Sequence, residues 1–237
     1  MPLALVTGAA HRLGKFFALT LARRGYAILL HYRSDPGMAG GTADEIRALG
    51  VPVYLVQADL TIPSQIPNLF SKLDSLSHPF KVLVNSASVM QRADLRTISA
   101  DDWDATFALN LRAPFMLAQY TAKKMVEGGL IINITDAGAH KLWTGYPAYL
   151  VSKAGLEVLT RLLAKTYAPA IRVNAIAPGL VLPPMNISGV EWEKLVQRLP
   201  QKQPVKLEEV AAALAFLLDN PSITGQTIVV DGGYSLI

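Results

Sequence analysis

Cysteine is absent from all 237 residues, which removes disulfides, thiolate metal sites and cysteine nucleophiles from consideration. Charge is also sparse: 17% of residues are charged and the formal net charge is only +4. The basic residues are dispersed, with pairs such as Arg23-Arg24 and Lys123-Lys124 as the densest clusters. The concentrated basic face that nucleic acid needs is therefore missing, whereas an anionic small molecule accounts for the excess equally well. No apolar run reaches the roughly 18 residues of a membrane span. Met1-Pro2-Leu3-Ala4-Leu5-Val6 enters a strand pattern without the charged and long apolar regions of a signal peptide. These absences lead us to expect a cytoplasmic protein with a small-molecule substrate and no nucleic-acid or membrane partner.

What remains is a globular composition, 51% hydrophobic, organised as an alternation. Short aliphatic or β-branched runs occur at Leu3–Thr7, Ala27–His31, Val53–Gln57, Val82–Asn85, Leu130–Ile134, Arg172–Ala177 and Thr227–Val230. Most are nearly continuous in apolar residues, as parallel strands buried on both faces are. Between them, helical patterns run over Arg12–Arg24, Thr42–Leu49, Ile66–Leu76, Asp102–Glu127, Ala148–Tyr167 and Leu207–Leu218. Gly25 and Gly50 stand where a helix end favours a left-handed residue. The alternation predicts an α/β fold: a Rossmann-type doubly wound parallel sheet of about seven strands, with helices on both faces. With no linker or repeat, residues 1–237 are expected to form a single domain.

Thr7-Gly8-Ala9-Ala10-His11-Arg12-Leu13-Gly14 leaves the first strand and opens a helix. Gly8 permits a sharp turn and Gly14 a close helix–sheet approach, while the helix N-terminus offers free N–H groups to a pyrophosphate. The turn does not match G-x-G-x-x-G, and a glycine-bearing turn without ligand is the competing reading. The second strand ends in His31-Tyr32-Arg33-Ser34, where NAD sites place an acid for the ribose 2′-hydroxyl. An arginine and a hydroxyl there suit a 2′-phosphate, so NADPH is the expected cofactor. Asp35 is the competing ribose ligand. Asp59-Leu60 follows the third strand, where Asp59 either accepts from an adenine amino group or caps the next helix. Asn85-Ser86-Ala87-Ser88 ends the fourth strand with small polar residues suited to a nearby ribose.

Tyr149 and Lys153 lie four apart on one helix face. A neighbouring cation is expected to lower a phenol's pKa towards working pH, so that the phenol serves as a proton donor. Asn110, in Phe107-Ala108-Leu109-Asn110-Leu111, is either a satisfied core group or the holder of a relay water. His11 and His140 read as solvated loop residues. Trp143, Tyr146 and Pro147 are expected to line the cleft wall.

Taken in order, these segments resemble the short-chain dehydrogenase/reductase family along the whole chain. The motifs are the T-G-x-x-x-x-x-G turn, Asp59-Leu60, Asn85-Ser86-Ala87, Asn110, Tyr149/Lys153, Pro178-Gly179 and Asp231-Gly232-Gly233. The resemblance implies Tyr149 as acid/base, Lys153 on the nicotinamide ribose, Asn110 behind a water relay, and a homotetramer. It also implies a lid over about 179–206, with Leu182-Pro183-Pro184-Met185 and Trp192 in it. Pro178, Gly179 and Val181 would then touch cofactor, together with His11, Arg12 and Leu13 of the turn.

Two departures narrow the resemblance. Arg12 replaces the family's usual second glycine, and Asp136 stands where the family has serine, thirteen positions before the tyrosine. With His31-Tyr32-Arg33-Ser34 and the C-terminal Asp231-Gly232-Gly233-Tyr234-Ser235-Leu236, these look like the pteridine reductase branch. The branch implies that Arg12 reaches both cofactor phosphate and substrate, and that Asp136, Tyr149 and Lys153 deliver the proton to a pterin ring. Substrate would also meet Ser88, Met90 and Leu180. Met90 departs from the branch, which has an aromatic residue there, although a methionine sulfur still contacts rings. The resulting expectation is an NADPH-dependent reductase of pterin- or dihydrofolate-like C=N bonds. The alternatives are a 3-oxoacyl-thioester carbonyl reductase and a non-catalytic NADPH sensor.

Overall fold

Seven parallel strands form one sheet in the order β3-β2-β1-β4-β5-β6-β7 in the computed structural model, which describes residues 1–141, 143–183 and 187–237. The strands are β1 Leu3–Val6, β2 Ala27–Tyr32, β3 Val53–Gln57, β4 Phe80–Asn85, β5 Gly129–Ile134, β6 Ile171–Pro178 and β7 Thr227–Val230. Each is linked to the next through helix. The intervening elements are α1 Arg12–Arg23, α2 Pro36–Arg47, α3 Ile66–Asp74, α4 Ala100–Phe107, α5 Ala113–Ala122, α6 Pro147–Tyr167, α7 Gly189–Val196 and α8 Leu207–Asp219.

The two-residue period of each strand divides the core in two. Ala4, Val6, Ile28, Leu30, Val84 and Ile132 face α1, α2 and α8, where Phe17, Leu21, Ile46, Leu214 and Leu217 meet them. Leu3, Leu5, Leu29, Leu83, Ile131 and Val173 face the opposite layer, against Leu69 of α3, Leu117 of α5 and Leu163 of α6. Strands covered on both sides are mostly apolar, and all four residues of β1 are buried.

The chain winds outward from β1 to β3, then crosses back to place β4 on the other side of β1. That reversal opens a crevice at the carboxyl ends of β1 and β4, which is where doubly wound folds bind ligands.

Three helical expectations need correction. Helix α2 starts at Pro36 rather than Thr42, because Asp35 caps it through the Met38 N–H (2.8 Å) and proline suits the first turn. The span expected from Asp102 to Glu127 is two helices joined by a π-helical stretch, Ala108–Arg112, and it ends at Ala122. Helix α7 was not anticipated; it begins with a capping box between Ser188 and Glu191. No helix among the described residues is long and apolar enough to cross a membrane.

Candidate active site

The turn between β1 and α1 is closely built. Gly8 has φ +63°, and a Cβ there would sit 2.9 Å from the Ala87 Cα. A Cβ on Gly14 would lie 2.2 Å from the Gly8 carbonyl oxygen. Thr7 ties this turn to the end of β4 by accepting the Ser86 and Ala87 N–H groups, both at 3.0 Å. Helix α1 opens without a side-chain cap from His11, so the N–H groups of its first turn point to an anion site. Arg12 has φ +52°, a left-handed conformation that strains any residue with a Cβ and explains why a glycine is usual there. Its guanidinium lies 3.4–3.5 Å from the Leu182 and Pro183 carbonyls. Leu13 packs half-buried against the core.

At the end of β2, the structure separates four residues that the sequence grouped together. Arg33 and Ser34 are exposed and Tyr32 is half-buried. His31 points inward instead, 2% exposed, with Nδ1 accepting from Gly8 N–H (3.1 Å) and Nε2 bonded to the Ala58 carbonyl (3.0 Å). Both ring nitrogens are occupied, so the His31 side chain holds the turn from behind. Asp35 caps α2 through Oδ1, which directs one of its two carboxylate oxygens to the helix.

Asp59 accepts the Thr61 N–H and hydroxyl at 2.9 and 2.7 Å, closing a local turn rather than capping α3. Burial opposes its ionisation, but the Thr61 bonds and the Arg33 charge hold its carboxyl below the ordinary value. Leu60 is a core side chain, so any cofactor contact there falls to its main chain. Asn85 is likewise buried: its amide donates to Asn133 Oδ1 (2.8 Å), and Asn133 donates to Thr160 (2.9 Å). The Asn85 Oδ1 has no hydrogen-bond partner among the described residues, and Ser86 and Ala87 follow it half-buried at the end of β4.

Asp136, Tyr149 and Lys153 lie across the crevice, where the end of β5 meets α6. Tyr149 donates its hydroxyl to Asp136 Oδ2 at 2.6 Å, and Asp136 Oδ1 accepts the Gly138 N–H at 2.7 Å. Lys153 donates to the Ile134 carbonyl at 2.6 Å, with its ammonium 5.7 Å from the Tyr149 ring centroid. Burial pushes the Asp136 carboxyl up, against the opposing bonds from Tyr149 and Gly138. Burial and the facing Asp136 charge also push the Tyr149 phenol well above its ordinary value. The expected lowering by Lys153 is thus corrected: dehydration and Asp136 outweigh the ammonium. Burial draws Lys153 down to about 8. The pair holds a proton firmly and can release it to a basic atom that replaces lost hydration.

Asn110 lies in the π-helical stretch, fully buried. Its amide donates to the Val89 carbonyl (2.9 Å) and Ser152 (3.1 Å), and accepts from Ser88 (3.1 Å) and the Val89 N–H (3.0 Å). These four bonds saturate the side-chain amide, which thereby ties the Ser88–Val89 loop to α6. Met90 follows on that loop, 37% exposed.

Beyond β6, Pro178 is buried, Gly179 donates to the Val230 carbonyl (2.9 Å), Leu180 accepts from Val205 N–H (2.9 Å), and Val181 packs on the core. Pro184 and Met185 of the expected lid lie outside the described residues.

Two neighbours of this group were not anticipated. Tyr234 packs 5.7 Å from the Trp143 ring, whose edge covers Gly138 beside Asp136. Burial and the Asp136 charge push the Tyr234 phenol up to about 12. Ninety-eight positions separate Tyr234 from Asp136, and no sequence signal joins them. Glu157 pairs with His140 at 3.3 Å one helical turn beyond Lys153, a spacing that could have flagged it.

A family model described as enoyl-(acyl carrier protein) reductase matches residues 8–235. A 3-oxoacyl-[acyl-carrier-protein] reductase of Synechocystis is 35% identical, over 97% of this chain and 95% of its own. A 1-cyclohexenylcarbonyl-CoA reductase of Streptomyces collinus is 32% identical, over 99% and 87%. Among solved structures, FolM alternative dihydrofolate reductase 1 from Brucella suis, in complex with NADP, superimposes with a TM-score of 0.94 at 35% identity, over 99% and 95% of the two chains. The chain belongs to the short-chain dehydrogenase/reductase family. It is a nicotinamide-dependent oxidoreductase.

Proposed function

We propose that this chain is an NADPH-dependent reductase of the pteridine reductase type, acting on the C=N bond of a dihydropterin- or dihydrofolate-like ring. The observation that carries the reading is the half-buried carboxyl group of Asp136, bonded to Tyr149 at 2.6 Å. A carbonyl oxygen needs one hydroxyl donor. A ring C=N flanked by further ring nitrogens gains from a carboxyl group that can donate as well as accept. The likeness to a FolM alternative dihydrofolate reductase supports it.

The residues fit the dinucleotide. The uncapped start of α1 suits a diphosphate, and a Cβ at Gly8 or Gly14 would collide with neighbouring backbone. Exposed Arg33 and Ser34 suit a 2′-phosphate. When bound, reduced nicotinamide supplies the hydride to the carbon of the C=N bond. Tyr149 delivers its proton to the nitrogen, and Asp136 holds the phenol in line. The resulting phenolate faces the Lys153 ammonium, which keeps two N–H donors beyond its bond to Ile134 for ribose hydroxyls. Arg12, Ser88, Met90 and Leu180 frame the substrate.

The names of the acyl-carrier-protein relatives favour a second reading, reduction of a 3-oxoacyl thioester. NADPH oxidation measured side by side on dihydrobiopterin, dihydrofolate and an acetoacetyl thioester separates the two. Turnover of the thioester alone defeats the C=N reading.

We also place the enzyme in the cytoplasm as a homotetramer. In support, Phe107, Leu111, Phe115, Val158 and Leu162 line a groove between α4, the π-helical stretch and α6. Phe115, Val158 and Leu162 are 42%, 48% and 59% exposed there, an apolar surface suited to a second subunit.

A further inference from the structure

We propose that His31 is a positioning residue for the cofactor: it clamps the phosphate turn to the adenine edge of the crevice without touching the cofactor itself. The inference rests on nicotinamide dinucleotide binding and not on the pterin reading.

His31 holds the turn with two consecutive bonds. Its Nδ1 accepts the Gly8 N–H at 3.1 Å, and its main-chain carbonyl accepts the Ala9 N–H at 2.9 Å. Because Gly8 N–H can only donate, Nδ1 carries no proton. Nε2 therefore carries it and donates to the Ala58 carbonyl at 3.0 Å. One neutral tautomer satisfies both ends.

The clamp has little slack. Gly8 is wedged between His31 and Ala87, whose Cα a Gly8 Cβ would approach to 2.9 Å. Gly14, in the first turn of α1, packs on the Gly8 carbonyl. A shift of Gly8 would therefore move the N-terminus of α1, where the diphosphate is expected. At the other end, Ala58 immediately precedes Asp59. The imidazole thus fixes the spacing between two parts of one ligand site. Burial keeps it neutral, lowering its pKa to about 4 against the pull of Asp59. Arg33, which acts on Asp59, is the other charge facing this cluster.

The test is calorimetric titration of NADP⁺ and NAD⁺ into His31→Leu and His31→Asn proteins. Losing the Gly8 bond is expected to weaken both cofactors about tenfold, leaving their ratio unchanged. At saturating NADPH, kcat stays within about twofold, because the proton-handling residues are untouched. Asparagine places Oδ1 where Nδ1 accepts, and it is expected to restore affinity to within about threefold. A selective loss of NADP⁺ would mean that the ring reads the 2′-phosphate and would overturn the proposal, as would unchanged binding in His31→Leu. If the leucine protein fails to fold, imidazole ¹⁵N signals of the native protein decide. The proposal requires the Nε2–H tautomer through about pH 5.5, with and without NADP⁺, whereas titration near the ordinary value contradicts it.

Discussion

Tyr149 and Asp136 meet at 2.6 Å across the junction of α6 and β5, the phenol buried and the carboxyl half-buried. The contact joins a phenol and a carboxyl group, the ionisation of each opposed by its enclosure. Lys153 stands behind the phenol as the only cation that acts on Asp136 among the described residues. Its charge matters after transfer, when a phenolate has formed.

The first prediction concerns that charge. Lys153 is drawn down to about 8, so its ammonium is present below that pH and is lost as pH rises through it. We expect kcat/KM to fall on the basic side with a midpoint near that value, since this ratio reports groups of the free enzyme. A profile flat through pH ~9.5 would show that Lys153 remains charged and that burial does not lower it.

Arg12 carries a cost in its backbone. Replacing it with glycine removes a side chain from φ +52° and is expected to raise stability by roughly 0.5–1 kcal/mol. For a chain of this size that is a rise of about 1–4 °C in Tm. The same change should raise KM for NADPH and substrate, because a guanidinium facing the crevice is gone. Thermal unfolding and steady-state kinetics on one preparation check both. A fall in Tm would mean that the Leu182 and Pro183 contacts outweigh the strain.

Arg33 is exposed at the end of β2, beside the expected adenine ribose. Arg33→Ala is expected to weaken NADPH by about 10–100-fold, the loss of one charge-assisted contact to phosphate. NADH binding should change little. Equal losses for both cofactors would place Arg33 away from the 2′-phosphate.

The fold was largely legible because strands buried on both faces are mostly apolar: β1 is so throughout, and β2 and β5 depart from it chiefly at His31 and Asn133. Where the pattern failed, local chemistry overrode it. The helical pattern reads from Thr42, yet Asp35 and Pro36 begin α2 six residues earlier, through a stretch that holds Gly37, Gly40 and Gly41. The π-helical stretch around Asn110 shifts the helical phase and hides a break in what looked like one long helix. In the site, the spacing of Tyr149 and Lys153 was readable, since four residues bring side chains together on any helix. Asp136 became visible only through the family resemblance. The inward turn of His31 depends on its strand pairing, and Tyr234 arrives beside Trp143 through tertiary folding alone.

Asp136 is what separates a C=N reductase from a carbonyl reductase in this account, so exchanging that one residue tests it most directly. The measurement is kcat/KM of native and Asp136→Ser enzymes on dihydrobiopterin and on an acetoacetyl thioester, at saturating NADPH. Serine is expected to lower C=N reduction by about 10²–10⁴-fold, because the proton donor Tyr149 loses the carboxyl group that holds it in line, while thioester reduction is kept or increased. Equal losses on both substrates, or undiminished C=N reduction with serine, would contradict it.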